Sequence, residues 1–520
     1  MAALIFMLCL CKMKVDLLSG LSIVIMTEQI SLYSVEQIRQ IEEFYKKKQG
    51  VGEESLMSLS ALALYKRIRL SYPSAKNLLI VVGKGNNGGD GIFLAKHAVQ
   101  SGLNVQILLA VDENCVESNL KNMLHDLQSV GVIVEEFYPG IQVEADLIID
   151  ALLGIGLKGS LRPHYVKVIQ WINKHPSPCL AVDVPSGLDA DTGTAEGECV
   201  RAEITQSFIA RKRGLYTCRS AEFRGQVFLD SLGVDVHAMP IASKVSLLSD
   251  VNASWLPRRN RDAHKGDFGH VLVIGGDYGM GGAIRMAAEA ALRAGAGLVT
   301  VATRPEHICV VNACRPEIMC QKVEAVSSIE GLQDKVDVVI IGPGLGMEEW
   351  GESLFDAIVE WPQPKVLDAD ALNWLVKKPT SQSNWVLTPH PGEAARLLAS
   401  SGDYVQSDRF HAVDAIQKRY GGVVALKGSG TLVASHEQIY LCPLGNPGMA
   451  TGGMGDILAG MIGGLMAQGL SSFQAASMGV LIHAMASDQA AQIEGERGML
   501  ALDVLSYMKD FINPDQAVLA

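Results

Sequence analysis

Apolar residues fall into two rhythms along this chain. In "SVEQIRQIEEFY", which starts at Ser34, and in "SLMSLSALALYKRI" they recur at helical spacing. Between such stretches lie short, continuously apolar runs: "NLLIVV", "NVQILLAV", "ADLIID" and "CLAVDV". Runs of this kind read as strands buried on both faces, and their alternation with helices predicts parallel βαβ units. The periodicity fades between about 235 and 265, where prolines and charges gather, and resumes at "HVLVIGG". A second α/β series then continues through "VDVVIIG", "KVLDADALN", "WVLTPHPG" and "VVALKGSGTLVA". A domain boundary is therefore expected near residue 245. The first apolar stretches, "MAALIFMLCLCK" and "LLSGLSIVIM", are shorter than the ~20 residues of a membrane span. Their basic residues follow the apolar run, whereas a signal peptide has them before it. Residues 1–25 are expected to be an N-terminal extension, followed by domains at 26–244 and 245–520.

In parallel sheets ligands bind beyond the carboxyl ends of the strands, and that is where the unusual residues stand. "GKGNNGGDG" (83–91) follows one strand, and Asp150 and Asp183 each end another. A glycine loop alone is weak evidence, and a lone strand-end aspartate is more often a turn or cap residue. Two carboxylates beside an Asn–Asn loop favour a site with acid/base capacity. In the second half, "TPHPGE" holds His390 between prolines, and "KGSGT" (427–431) follows a strand without matching the Walker pattern. The glycine-rich "GNPGMATGGMGD" (445–456) runs into Ile457, Leu458, Met461, Ile462, Leu465 and Met466, which have helical spacing. The loop therefore opens a helix whose free N–H groups attract an anion. A carboxylate in that first turn repels phosphate but suits a base acting on a hydroxyl. For Asp456 alone, a helix cap is the plainer reading.

Length and composition narrow the classes. The chain has 520 residues, 48% of them hydrophobic and 19% charged, which fits two or more well-buried α/β cores. Residues 1–245 carry 24 basic and 26 acidic side chains, and residues 246–520 carry 20 and 30. No basic field for nucleic acid exists, so a phosphate ligand must rely on loop amides and local cations. The ten cysteines show no CxxC spacing, which reads as reduced thiols of a cytoplasmic protein.

The motifs taken in order resemble one family. "GNNGGDG", "DALLGIGL" and "DVPSGLDADTG" resemble the N-terminal epimerase domain of the bifunctional NAD(P)H-hydrate repair enzymes. "HKGDFG", "GGAIRM", "GAGLV", "GPGLG", "LDADALN", "TPHPGE", "LKGSGT" and "GNPGMATGGMGD" resemble their C-terminal dehydratase domain, of the ribokinase-like superfamily. The resemblance runs from about residue 30 to the end. It implies an α/β chain of two three-layer domains, a Rossmann-like parallel sheet followed by a ribokinase-like sheet. It also implies interconversion of the R and S hydrates of NADH and NADPH, and removal of water from the S form at the expense of ADP.

Carried over by motif, Asn86, Asn87, Gly88, Gly89 and Asp90 would contact the hydrate. So would Gly154, Ile155, Gly156, Leu157, Lys158, Gly159, Ser160 and Asp183, the last as acid/base group. Asn87, Asp150 and Ser186 would hold potassium. In the dehydratase, Ala283, Gly344, His390 and Asp456 would meet the hydrate, with Asp456 as base. Lys427, Gly428, Ser429, Gly430, Thr431 and Gly455 would hold ADP, with Mg2+. A homo-oligomer, tetramer or larger, without nucleic-acid or membrane partners, is expected. The chain departs from the family at "LMSLSA", which has Met57–Ser58 where a Met-Glu or Met-Asn pair is usual. Two rivals fit parts of the pattern: a small-molecule kinase for a vitamin or sugar hydroxyl, and a non-catalytic ligand-binding N-terminal half.

Overall fold

The computed structural model describes residues 30–111, 118–157, 159–251 and 253–513. The expected extension at 1–25 and Lys158 lie outside them. The first described strand, β1 (Ser31–Leu32), belongs to the larger, C-terminal sheet. The N-terminal sheet is built from β2 (Asn77–Val82), β3 (Asn104–Leu109), β4 (Ile133–Glu136), β5 (Leu147–Ala151), β6 (Cys179–Val182), β7 (Ile204–Phe208) and β8 (Gln226–Asp230). Their order is β4-β3-β2-β5-β6-β7-β8, every pair parallel. Alternation within "NLLIVV" decides the layers. Leu78, Ile80 and Val82 face the helices Val35–Gln49, Glu53–Ser71, Asn86–Gln100 and Ser118–Ser129. Leu79 and Val81 face the helix Pro163–Lys174 through Val168, Ile169 and Ile172.

The C-terminal sheet has eleven strands. It takes in β9 (Val245–Leu247), β10 (His270–Ile274), β11 (Leu298–Thr303), β12 (Met319–Lys322), β13 (Val338–Ile341) and β14 (Lys365–Leu367). β15 (Trp385–Leu387), β16 (Val423–Leu426), β17 (Thr431–Ala434) and β18 (Ile439–Cys442) follow. The order is β1-β9-β18-β17-β16-β15-β14-β13-β10-β11-β12. The run from β12 to β16 is parallel, and β16-β17-β18 is antiparallel. Val271 and Val273 pack under the helices Gly281–Arg293 and Met454–Ala467, and Leu272 and Ile274 under the opposite layer. Both halves are thus α/β with parallel sheets between helical layers.

Strand pairing and packing both cross the stretch where periodicity fades. β9 pairs in parallel with β18 and antiparallel with β1, so a segment from the start of the chain edges the second sheet. Val184, Leu188, Leu215 and Tyr216 of the first half share one core with Leu272, Leu367 and Leu426 of the second.

Candidate active sites

Strand order in the N-terminal sheet reverses between β2 and β5, the place where open α/β sheets bind ligands. The helix Asn86–Gln100 starts directly after β2. Asn86–Asp90 therefore form its first turns rather than a loop, and Asp90 sits inside the helix rather than capping it. A cavity of about 520 Å³ opens here, lined among others by Asn86, Asn87, Asp90, Gly154, Ile155, Gly156, Leu157, Ser160 and Asp183. Gly88, Gly89 and Gly159 are not among its lining residues. Gly88 lets the helix start press on β2, since a Cβ there would come within 2.0 Å of the Gly83 carbonyl oxygen. At Gly89 it would strike the Met57 side chain at 2.7 Å. These two glycines serve close packing.

Asp150 and Ser186 lie fully buried beneath the cavity. The Ser186 hydroxyl and N–H donate to the two Asp150 oxygens at 2.6 and 2.8 Å, and the Leu152 N–H adds a bond of 3.3 Å. Burial pushes the Asp150 carboxyl up to about 6 despite these donors. Asn87, at the helix start, packs on Gly154, its carboxamide 3.2 Å from where a Gly154 Cβ would stand. Its buried side-chain nitrogen has no hydrogen-bond partner.

Asp183 follows β6 at φ +64, a conformation that costs a non-glycine residue about 1–3 kcal/mol. Its Oδ1 accepts from the Lys212 ammonium, from the Phe208 N–H at 3.1 Å and from the Ser207 hydroxyl at 3.3 Å. Lys212, 1% exposed, also donates to the Phe208 carbonyl at 2.8 Å. Lys212, Glu42 and Ser60 line the same cavity and are missing from the motif-based set. Lys212 lies in none of the motifs, and Glu42 falls inside "SVEQIRQIEEFY", where helical spacing alone was legible. Ser60 falls inside "LMSLSA", where only helical spacing was legible.

The second sheet reverses between β13 and β10. After β13, Gly344 turns at φ +58 with Met280 and Ala283 packed against the place of its missing Cβ, so Ala283 and Gly344 are neighbours. Across the sheet, the Lys427 ammonium donates to Asp368 at 2.8 Å, and the Thr388 hydroxyl donates to the same oxygen at 2.7 Å. A Cβ on Gly455 would sit 3.2 Å from the Lys427 nitrogen and 3.4 Å from Asp368, so the glycine loop meets this ion pair directly. The helix Met454–Ala467 begins after Gly453, at φ +94, with no side-chain cap. Its terminal N–H groups remain available to an anion, and Asp456 stands in its first turn. Burial and the neighbouring Asp368 carboxylate push Asp456 up to about 7, against the pull of Lys427. Burial draws the Lys427 ammonium down, but Asp368 and Glu393 outweigh it and its pKa is raised. His390 caps the helix Pro391–Leu397 through Nδ1 to the Gly392 N–H, with Glu393 closing the box. Burial and Lys427 lower its pKa.

Residues 427–430 form the turn between antiparallel β16 and β17, and Thr431 opens β17. Arg409, 1% exposed, donates to the carbonyls of Leu426, Lys427 and Gly430 at 3.1 to 3.3 Å. The first half reaches this turn too: the Cys218 N–H donates to the Ser429 carbonyl at 3.0 Å. Asp368, visible within "LDADALN", and Arg409 are functional candidates that residue pattern alone does not assign. Among the described residues every cysteine is a free thiol, no His/Cys/Asp/Glu group could hold a metal, and no helix is long and apolar enough to cross a membrane.

Fold and sites together define an α/β enzyme of two halves, each presenting carboxylates beyond the strand ends of its sheet. Family models match both: NAD(P)H-hydrate dehydratase over residues 271–510, and YjeF-related protein N-terminus over 53–214. The bifunctional NAD(P)H-hydrate repair enzyme Nnr of Coxiella burnetii is 46% identical, the match covering 93% of this chain and 99% of that protein. The Escherichia coli enzyme of the same name is 41% identical over 93% and 94%. A solved structure of ADP/ATP-dependent NAD(P)H-hydrate dehydratase from Bacillus subtilis, co-crystallised with ATP/Mg2+, aligns at 26% identity and TM-score 0.44 over 49% of this chain and 92% of that one. The chain belongs to the bifunctional NAD(P)H-hydrate repair enzymes, with an epimerase half and a dehydratase half.

Proposed function

We propose that the N-terminal half interconverts the R and S hydrates of NADH and NADPH at the cavity around Asp183, and that the C-terminal half dehydrates the S form with ADP at Asp456. The observation that carries the reading is Asp456 in the first turn of an uncapped helix, beside the Lys427–Asp368 pair. Hydroxide leaves the reduced ring poorly, and phosphorylation of the hydroxyl makes it a good leaving group. Asp456 takes the hydroxyl proton as oxygen bonds to the terminal phosphorus of ADP, and AMP departs. Helix N–H groups and Lys427 offset the charge on the transferring group. The ring nitrogen's lone pair then expels phosphate, and loss of a ring proton restores the dihydronicotinamide. Lys427, Gly428, Ser429, Gly430, Thr431 and Gly455 surround the nucleotide in this reading, and Ala283, Gly344 and His390 the hydrate. Mg2+ would supply charge neutralisation on the phosphates.

Asn87, Asp150 and Ser186 suit a potassium ion. Asp150 is a buried carboxylate that accepts from the Ser186 hydroxyl, no cationic side chain is paired with it among the described residues, and the Asn87 carboxamide stands beside Gly154. Such an ion would offset the Asp150 charge and fix the floor of the epimerase cavity. Cytoplasmic location and a homo-oligomer are part of the same proposal, as is the division into domains at 26–244 and 245–520.

Purified S hydrate and ADP test the dehydratase reading. NADH, AMP and phosphate should form in equal amounts, and NADH release without ADP consumption would overturn it. A mixed R and S sample tests the epimerase reading. The parent should run to completion, and Asp183→Asn should stall near the S fraction apart from slow spontaneous epimerisation. A parent that stalls there too would make the first half a binding module.

A further inference from the structure

Three hydrogen bonds reach the Asp183 carboxylate from within the protein, and all three fall on Oδ1. Among the described residues none is recorded on Oδ2, and Asp183 lines the cavity. Lys212 is the charged donor of the three. Its ammonium is spent on Asp183, the Phe208 carbonyl and the Ser207 hydroxyl, the last at 3.2 Å, so it holds the carboxylate and does not reach for substrate. Facing the same cavity are three more carboxyls, Asp90 from the helix Asn86–Gln100, Glu42 from the helix Val35–Gln49 and Glu53 from the helix Glu53–Ser71. Glu53 is neutralised by the Lys46 ammonium at 2.7 Å, which leaves Asp90 and Glu42 as candidates for a proton donor. Among the described residues, no cation is paired with Asp90, which is buried inside its helix and associates with the Ser60 hydroxyl.

Resting on the epimerase reading above, we infer that the first half divides its chemistry between two carboxyls. Lys212 is a positioning residue that turns Oδ2 of Asp183 to the substrate as base, and Asp90 is the acid that supplies the opposing proton. Two carboxyls whose surroundings differ this way take separate roles. Burial and the Asp183 charge hold the Asp90 carboxyl well above its usual range, the direction that suits a proton donor. Burial raises Glu42 as well, and the test below separates the two.

The step balances without a co-reactant. Asp183 removes the hydroxyl proton from the hydrated carbon, and the oxygen's electrons close a carbonyl. The carbon–nitrogen bond breaks, its pair goes to the ring nitrogen, and the nitrogen takes the Asp90 proton. Rotation about the adjacent carbon–carbon bond presents the other face of the aldehyde. The nitrogen attacks that face, its proton returns to Asp90, and Asp183 returns its own to oxygen. No proton is consumed, as an epimerisation requires.

The full-length chain carries its own control, because ADP-dependent dehydration of pure S hydrate in the same sample reports folding. With R hydrate as substrate, Asp90→Asn should lower the epimerase kcat by about 10²–10⁴-fold, whereas Glu42→Gln should stay within tenfold of the parent. Lys212→Met should lower the epimerase kcat by about tenfold or more while dehydration of S hydrate stays parental, as expected when the base loses the contact that orients it. Lys212→Arg should restore most of the rate. Asp90→Asn at parental rate, or Glu42→Gln as the dead variant, would overturn the assignment of the acid. A parental epimerase kcat in Lys212→Met, or a variant that dehydrates S hydrate normally yet is not rescued by arginine, would overturn the role of Lys212. A parent chain that never interconverts the epimers would instead sink the epimerase reading itself.

Discussion

Asp456 shows at residue scale how position sets chemistry. Its place in the first helical turn was legible from glycine followed by helical apolar spacing. Its proton affinity was not, because Asp368 lies 88 positions earlier in the chain and meets it only in the fold. A base must be ionised, and this one ionises at about 7. The dehydratase kcat/KM should therefore rise with pH through about 7 and then level, falling about tenfold per pH unit on the acid side. Asp456→Asn should fold and lose ~10²–10⁴-fold in turnover. Activity within threefold of the parent, or a flat profile between pH 5 and 8, would make the carboxylate a cap. The departure at Ser58 also resolves at this scale. Ser58 is exposed, while Met57 and Ser60 of the same helix are buried and line the cavity, so the altered position points away from the proposed chemistry.

At the scale of elements, the two glycine-rich motifs do different work. "GNNGGDG" is the start of a helix pressed onto β2, and Gly88 exists for that contact. "KGSGT" is a hairpin turn with Gly428 at φ +134 and Gly430 at φ +69, and no ladder partner fixes its tip. Arg409 does so by holding two of its carbonyls, Lys427 and Gly430, and that of Leu426 just before it. Residue pattern could not reveal this, since a buried arginine looks like any surface one in sequence. Leaving buried carbonyls unpaired costs about 1–3 kcal/mol each. Arg409→Met should lower the melting temperature and raise KM for ADP severalfold, with a smaller effect on the KM for S hydrate. Parental KM for ADP in a folded variant would show that the glycines alone set the turn.

Across the whole molecule, the halves are chemically separate and physically continuous. Thr217 and Cys218 of the first half bond the carbonyls of Ser429 and Gly430, and Arg213 lies 4.6 Å from the ring centre of Phe410. A fragment starting near residue 245 keeps β9 and every strand of its own sheet except β1. It should fold and dehydrate S hydrate, but melt lower than the full chain and bind ADP more weakly. Calorimetry and an ADP titration of the two proteins decide this. Unchanged ADP affinity would show that the interface does not tune the nucleotide turn, and an insoluble fragment would show that the shared core is indispensable.

Legible in the sequence alone were the α/β class, the helix behind Asp456 and the strand ends that carry Asp150 and Asp183. All of these follow from local apolar spacing, and from glycine and carboxylate placement at element ends. Only the tertiary structure decided what surrounds each carboxylate. The Lys212 contact, the pairing of Lys427 with Asp368 and the edge strand β1 join residues 29, 59 and more than 200 positions apart. No local rule links such positions, because desolvation and charge pairing depend on distance in space, which the sheet order sets.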